Sequence, residues 1–152
     1  MPDPKITKKK FPIILQHAGF DWDRKQQADD AASGARGFIP PAYEHWTLDG
    51  GAVALFFLEQ RKAGQTVKVA GAAATRLGRG MLDHPTADQL TALTLENGST
   101  SIHPTASLAL ASGYVGGGYV ATATMIDVRN LRARIQRAID ADAAIIGDDD
   151  AE

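Results

Sequence analysis

The segment around Asn97-Gly98 constrains the fold more than any other part of the chain, because apolar and polar residues alternate on both sides of it over residues 92–102. Alternation with period two gives a strand one apolar and one polar face, and Asn-Gly favours a type I′ turn, in which both central residues need positive φ. The segment therefore predicts a β-hairpin. Residues 119–126 are rich in β-branched and aromatic residues and predict a further strand. Residues 86–89 have the spacing of a capping box, so a short helix leading into the hairpin is an alternative.

The first third of the chain instead shows helical patterns that glycines interrupt. A first helix is predicted from about Lys8 to His17, with Thr7 as its N-cap and Gly19 at its end. A second helix is predicted over residues 23–32. Two short helices joined by a glycine-containing turn have the outline of a helix-turn-helix.

Two more helices are predicted after a segment rich in glycine and proline and a short aromatic strand over residues 43–47. The first of them covers residues 51–62 and is capped by Thr47-Leu-Asp49, and the second covers residues 67–81 and opens at Thr66. Gly64 separates the two. The second of these helices is predicted to bury apolar residues that recur at i+4 spacing, namely Val69, Ala73, Leu77 and Met81.

A short helix that ends at Gly113 is predicted before the strand over residues 119–126. A final helix is predicted after that strand, from the cap Asp127 to about Ile146. Steps of three and four residues between its apolar positions predict a seam, which Asp142 breaks. The seam is predicted either to pack against the hairpin of the same chain or to pair with a second copy. Its residues are the candidate dimerisation positions Val128, Leu131, Ile135 and Ala138.

Together these elements predict an α+β fold. An N-terminal winged helix-turn-helix-like helical region is followed by a β-hairpin and strand region and by a C-terminal helix. The expected organisation is a flexible arm over residues 1–6, a DNA-binding domain over 7–83, a dimerisation or regulatory region over 84–147 and an acidic tail over 148–152.

The composition excludes several kinds of protein. The chain of 152 residues is long enough for one domain with a real core, and its lack of cysteine excludes disulfide scaffolds and thiol catalysis. No nucleophile elbow or phosphate-binding loop occurs. We therefore expect no enzymatic activity, no metal and no cofactor. The histidines stand singly, without the spacing of a metal site, at His17, His45, His84 and His103.

No segment has the pattern of an export signal or a membrane span. The apolar run Phe11–Leu15 is too short for the core of a signal peptide, and Ala52–Leu58 is far shorter than the roughly 20 residues of a spanning helix. A cytoplasmic protein without membrane contact is expected.

Charge is distributed unevenly along the chain. Residues 1–80 hold 12 Lys and Arg against 8 Asp and Glu, whereas residues 81–152 hold 4 against 10. A basic front is expected where one end of a protein meets an anionic surface, although the acidic tail supplies much of the asymmetry.

Cations and glutamines in the basic front are the candidate DNA face. Phosphate contacts need positive charge more than any fixed sequence, and a glutamine can bind adenine through two hydrogen bonds. The alternative is an ordinary solvated surface. The candidate residues are Lys8, Lys9, Lys10, Arg24, Lys25, Gln26, Gln27 and Arg36.

Residues 43–49, Tyr-Glu-His-Trp-Thr-Leu-Asp, are followed by a helix, a glycine turn and a second amphipathic helix. This order resembles the wing exit and paired helices of the mercury-resistance-regulator (MerR) family. The similarity covers residues 8–80 and is best over 43–77. It implies a winged helix-turn-helix that binds DNA as a dimer and reads an inverted repeat.

The sequence thus predicts a sequence-specific transcriptional regulator that binds double-stranded DNA as a homodimer. A dimer is expected because a winged helix alone rarely binds DNA tightly. A contact with RNA polymerase is left undetermined. The alternative is an interaction or assembly protein of a phage or mobile element, without DNA-binding activity.

Overall fold

The structure, a computed structural model, describes residues 6–7, 9–20, 47–108, 113–115 and 117–150. Within them the predicted α+β fold is confirmed, with N-terminal helices, a curled four-stranded antiparallel sheet and a C-terminal helix. The predicted helix over residues 23–32 and most of the short aromatic strand lie outside the described residues. The helices are α1 (Phe11–His17), α2 (Leu48–Lys62), α3 (Val67–Asp83) and α4 (Val128–Asp150), and the strands are β1 (Gln89–Leu95), β2 (Thr100–Pro104), β3 (Tyr114–Val115) and β4 (Gly118–Asp127).

The chain divides into two compact units. One consists of Met1–Thr75 with Asn130–Glu152, and the other is Arg76–Arg129. The first unit holds α1, α2 and nearly all of α4, and the second holds the whole sheet. These division points differ from the sequence-predicted boundary, which grouped the last helix with the strands.

A threonine lies close to the start of both α1 and α2, but only the threonine of α2 is an N-cap. α2 begins three residues earlier than predicted, because the Thr47 hydroxyl accepts a hydrogen bond from the Gly50 N–H at 2.9 Å. α1 begins later than predicted, at Phe11, with Thr7 accepting from the Lys10 N–H at 3.1 Å. Thr47 is confirmed as the N-cap of α2, whereas the prediction of Thr7 as the N-cap of α1 is wrong, because Lys10 occupies that position.

The core of the first unit is built around α2, in which every residue from Gly50 to Leu58 is buried. A helix that is apolar on all sides must be covered on all sides. Leu15 of α1 is fully buried, and Ile135 of α4 lies against α2, since a Cβ added at Gly51 would be 3.1 Å from its Cγ2. Phe57 is 1% exposed and belongs to this core.

Over the first half of α3, the buried face of the helix is rotated from the predicted face. Val69 is 51% exposed, and Ala73 is only partly buried. The i+4 stripe was wrong here because four-residue steps drift around a helix with 3.6 residues per turn. A stripe that mixes steps of three and four stays on one face. The buried positions do so: Ala70, Ala74, Leu77 and Met81.

The hairpin between β1 and β2 is confirmed, but its turn is not type I′. Gly98 has φ +88°, and no described residue other than glycine has positive φ, so Asn97 does not. The Gly98 N–H donates to the Leu95 carbonyl at 2.9 Å, and the Leu95 N–H donates to the Ser99 carbonyl at 2.8 Å. This is a turn closed by a single left-handed glycine, in which Asn97 instead accepts through its side chain from the Ser99 N–H.

The sheet of the second unit has the strand order β2-β1-β4-β3, antiparallel throughout. β1 lies in the middle, with Leu90 opposite Ile126 on β4 and Pro104 on β2. The register shifts between Thr94 and Leu95, where a bulge interrupts the β1–β4 ladder. Gln89 begins β1, so residues 86–89 do not start a helix.

The segment after β2 contains a shorter helix than predicted. A single 3₁₀ turn covers Thr105–Ser107, and residues 109–112 lie outside the description. The Thr105 and Thr91 hydroxyls are 2.8 Å apart, which places this turn against β1. None of the helices in the described ranges is long and apolar enough to cross a bilayer.

Candidate nucleic-acid interface

α2 and α3 form a helix–turn–helix in which the connection is residues 63–66. Gly64 has φ +98°, the left-handed conformation that ends a helix at low cost only for glycine. The Thr66 hydroxyl accepts from the Val69 N–H at 3.2 Å and caps the start of α3. A short glycine-containing turn joins the two helices of αα-hairpins and of helix-turn-helix units alike.

Positive charge accumulates along this helix pair. Between Glu59 and Asp83 the chain has five Lys and Arg residues and no Asp or Glu. A run of cations without an acid attracts anions such as phosphate. Our sequence prediction missed this signal, because it looked for the DNA face among residues 8–36.

Two of the cations near the turn are engaged in local contacts. The Arg61 guanidinium donates to the Gln65 carbonyl at 2.8 Å and thereby holds the turn. The Lys62 ammonium lies 5.7 Å from the centre of the Phe20 ring, just beyond α1. Both contacts leave the positive charges in place at the end of α2.

Lys68 lies on the first turn of α3 and is exposed. It forms no ion pair with any residue that the structure describes. Exposed Val69 and Ala72 lie beside it on the same side of the helix. In helix-turn-helix proteins the N-terminal residues of the second helix reach base edges, and these three residues lie on the first two turns of α3.

The acids of α2 are paired with arginines of α4. Arg132 donates to both carboxylate oxygens of Asp49, at 2.8 and 3.3 Å. Arg134 lies 3.5 Å from Glu59. These pairs compensate the negative charge of α2, so that it does not offset the positive charge of the lysines beside the turn.

Of the predicted DNA face, only Lys9 and Lys10 lie within the described residues. Lys9 is exposed. Lys10 is partly buried, and its Nζ is 3.2 Å from Asp142 of α4. The structure therefore gives Lys10 a partner inside the chain. Outside the description lie Lys8, Arg24, Lys25, Gln26, Gln27 and Arg36.

The predicted seam on α4 faces the interior of the chain. Asp142, which breaks the apolar pattern, is itself buried and lies between Lys10 and His17, with 3.7 Å to the His17 ring nitrogen. These side chains are buried within the chain, and Ile135 lies against Gly51 of α2, a contact that neither alternative from the sequence had named. All four are less than one-tenth exposed: Val128, Leu131, Ile135 and Ala138.

Within the described part of the chain, no group of three His, Asp or Glu side chains is arranged to hold a metal ion. Comparison with protein-family models, curated proteins and solved structures gave no match.

Proposed function

We propose that this chain is a sequence-specific DNA-binding transcriptional regulator of the cytoplasm that acts as a homodimer, and that the turn between α2 and α3 forms part of its DNA-binding surface. The observation that carries the proposal is the acid-free, five-cation stretch over residues 60–82, which coincides with a helix–glycine turn–helix. The resemblance of residues 43–77 to the MerR family supports the same function.

The proposed mode of binding follows from where the charges lie. Lys62 and Lys68 flank the turn and supply phosphate contacts, which fix the orientation of a protein on DNA. The start of α3 adds to the attraction, because a helix N-terminus carries partial positive charge. Exposed Val69 and Ala72 are apolar and suit contact with a thymine methyl group in the major groove.

The first test is a fluorescence-anisotropy titration of labelled duplex DNA at about 50 and about 200 mM salt. Binding through several phosphates releases counterions, so affinity should fall steeply between the two conditions. Lys62→Ala with Lys68→Ala should weaken binding and lower the slope of log affinity against log salt by about 0.9 for each phosphate that the variant no longer neutralises.

The matched control is Arg137→Ala, which removes one exposed cation from α4 and should leave the slope unchanged. A second variant replaces Lys8, Lys9, Arg24 and Lys25 with alanine to test the N-terminal face. Lys10 is kept in that variant because its ion pair with Asp142 links α1 to α4. No binding to genomic fragments at low salt would refute the proposal, and binding unaffected by the α2–α3 variant would refute the assignment of the surface.

The second candidate is an interaction or assembly protein of a phage or mobile element. It is favoured by β4, a ten-residue strand on which every residue from Ala121 to Met125 is exposed. The response to salt separates the two functions. DNA affinity falls with added salt, whereas association through apolar surface persists or strengthens.

A further inference from the structure

The C-terminal end of α1 is fixed by a Schellman motif, in which two backbone N–H groups after the helix bond back to its last turn. The Gly19 N–H donates to the Gln16 carbonyl at 3.0 Å. The Phe20 N–H donates to the Leu15 carbonyl at 2.9 Å. Gly19 has φ +100°, as the motif requires. The backbone of Phe20 is therefore held directly beyond the last turn of α1.

The end of α2 is closed by the same motif. The Gly64 N–H donates to the Arg61 carbonyl at 3.0 Å. The Gln65 N–H donates to the Gln60 carbonyl, also at 3.0 Å, and the Gln65 carbonyl accepts from the Arg61 guanidinium. The last turn of α2, which carries Lys62, is thus fixed together with the turn that leads into α3.

α1 is anchored to its unit at its start and along its length. The Lys10 ammonium, just before the helix, lies 3.2 Å from a carboxylate oxygen of Asp142 on α4. Three apolar side chains of the helix are buried: Phe11, Ile14 and Leu15. Because the helix is held at these points, its end has a defined position within the unit, and so has Phe20.

The two fixed helix ends meet through the ring of Phe20 and the ammonium of Lys62. The Lys62 Nζ lies over the Phe20 ring, 5.7 Å from its centre. The face of an aromatic ring carries partial negative charge and attracts a cation at this distance. Phe20 is partly buried, whereas Lys62 is exposed. An ammonium has three N–H donors, so those directed away from the ring can still bind a phosphate oxygen.

We propose that Phe20 is a positioning residue of the DNA-binding surface, whose ring holds the Lys62 ammonium in place for a phosphate of the DNA backbone. This role rests on the proposed function and gives α1 a part in it. A lysine side chain is flexible and loses rotamer freedom when its ammonium is fixed. A contact that exists before binding lowers this cost, so Phe20 raises the affinity for DNA through Lys62.

A double-mutant cycle on the affinity for duplex DNA at about 50 mM salt tests this role. Phe20→Leu keeps an apolar side chain after Gly19 and removes the aromatic face. It should weaken binding about two- to five-fold, the size of an exposed cation–π contact. In the Lys62→Ala background the same change should have no effect, because Phe20 acts through Lys62. In the Lys68→Ala background the loss should remain, since Lys68 lies on α3 beyond the turn.

Two matched variants separate the ring from the bulk of the side chain. Phe20→Tyr keeps the aromatic face and should bind DNA as tightly as the unmodified chain. Ile13→Ala removes an apolar side chain of α1 that is 37% exposed, and it should leave the affinity unchanged. Circular dichroism checks that each variant is folded. Should Phe20→Leu unfold, Phe20→Met replaces it in the cycle.

The contact itself is measured without DNA, by the ring current of Phe20. Protons over the face of an aromatic ring resonate upfield, so the ε-methylene protons of Lys62 should lie upfield of those of Lys68 in heteronuclear NMR spectra. Lys62→Arg identifies the signal by its loss. Phe20→Leu should abolish the upfield shift, and Phe20→Tyr should keep it.

Phe20→Leu that binds DNA as tightly as the unmodified chain overturns the positioning role and leaves the proposed function standing. An equal loss with and without Lys62 overturns it too, because Phe20 then acts on the fold and not on Lys62. A Lys62 resonance without an upfield shift overturns it whether or not DNA is bound. If the unmodified chain binds no DNA, the proposed function is refuted, and the positioning role falls with it.

Discussion

α2 and β4 both contain many uncharged residues, but α2 is buried and β4 is mostly exposed. Both have long stretches without charge, Gly50–Leu58 in α2 and Tyr119–Ile126 in β4. In α2 every residue of that stretch is buried, whereas in β4 only Ile126 of it is. Apolar composition therefore does not determine burial here. α2 is buried within its unit, with Ile135 of α4 against Gly51, and β4 is held chiefly by its ladder to β1.

The largest effect is expected from removing an aromatic side chain from α2. Phe57→Ala should lower the free energy of unfolding by about 3–5 kcal/mol, because it takes away buried apolar area and leaves a cavity. Urea denaturation followed by circular dichroism measures this loss. Leu82→Ala is the control, since Leu82 is 73% exposed and should cost less than about 0.5 kcal/mol. Equal losses in the two variants would contradict the enclosed position of α2.

A smaller effect is expected at the ion pair between α1 and α4. Asp142→Ala removes a buried carboxylate 3.2 Å from the Lys10 ammonium. Lys10 keeps partial access to water, so we expect a loss of about 1–2 kcal/mol and not the full cost of a buried unpaired charge. The control is Asp140→Ala, an exposed acid on the same helix. If the two variants have equal stability, the pair does not hold α1 in place.

The N-cap of α2 should contribute about 1 kcal/mol. Thr47→Ala leaves the Gly50 N–H without its hydroxyl acceptor, and Thr47→Ser should restore most of the stability. Thermal unfolding of the three chains measures the difference. Should Thr47→Ser be as unstable as Thr47→Ala, the threonine would act through its methyl group and not through the hydrogen bond.

The smallest effect on stability is expected on β4. Met125→Thr changes an exposed side chain, so the free energy of unfolding of the dilute chain should change by less than about 0.5 kcal/mol. A large loss of stability at high dilution would show that Met125 is covered within one chain and would remove the contrast with α2.

Local signals in the sequence were sufficient for several elements. Thr47 and Gly64 mark the start and end of α2, and Asn97-Gly98 marks the hairpin, because caps and turns depend on the conformational preferences of single residues. The type of the hairpin turn was wrong, since Asn97 bonds through its side chain in place of adopting positive φ.

Only part of the candidate site could be predicted from the sequence. The run of cations without an acid over residues 60–82 could have been found by counting charges. The pairing of Asp49 with Arg132 could not have been found from the sequence, because the two residues are 83 positions apart. This pair compensates the negative charge at the start of α2. Lys10 likewise was taken as a free surface cation because nothing local indicates its contact with Asp142.

The sequence by itself determined the α+β class and the order of the described helices and of β1, β2 and β4, because these depend on residues within a few positions of one another. Only the tertiary structure decided which apolar faces are covered. It buried the seam of α4, rotated the buried face of α3 and left β4 exposed. The physical reason is that burial depends on which distant segments meet, and periodicity shows that a face is apolar without showing what lies against it.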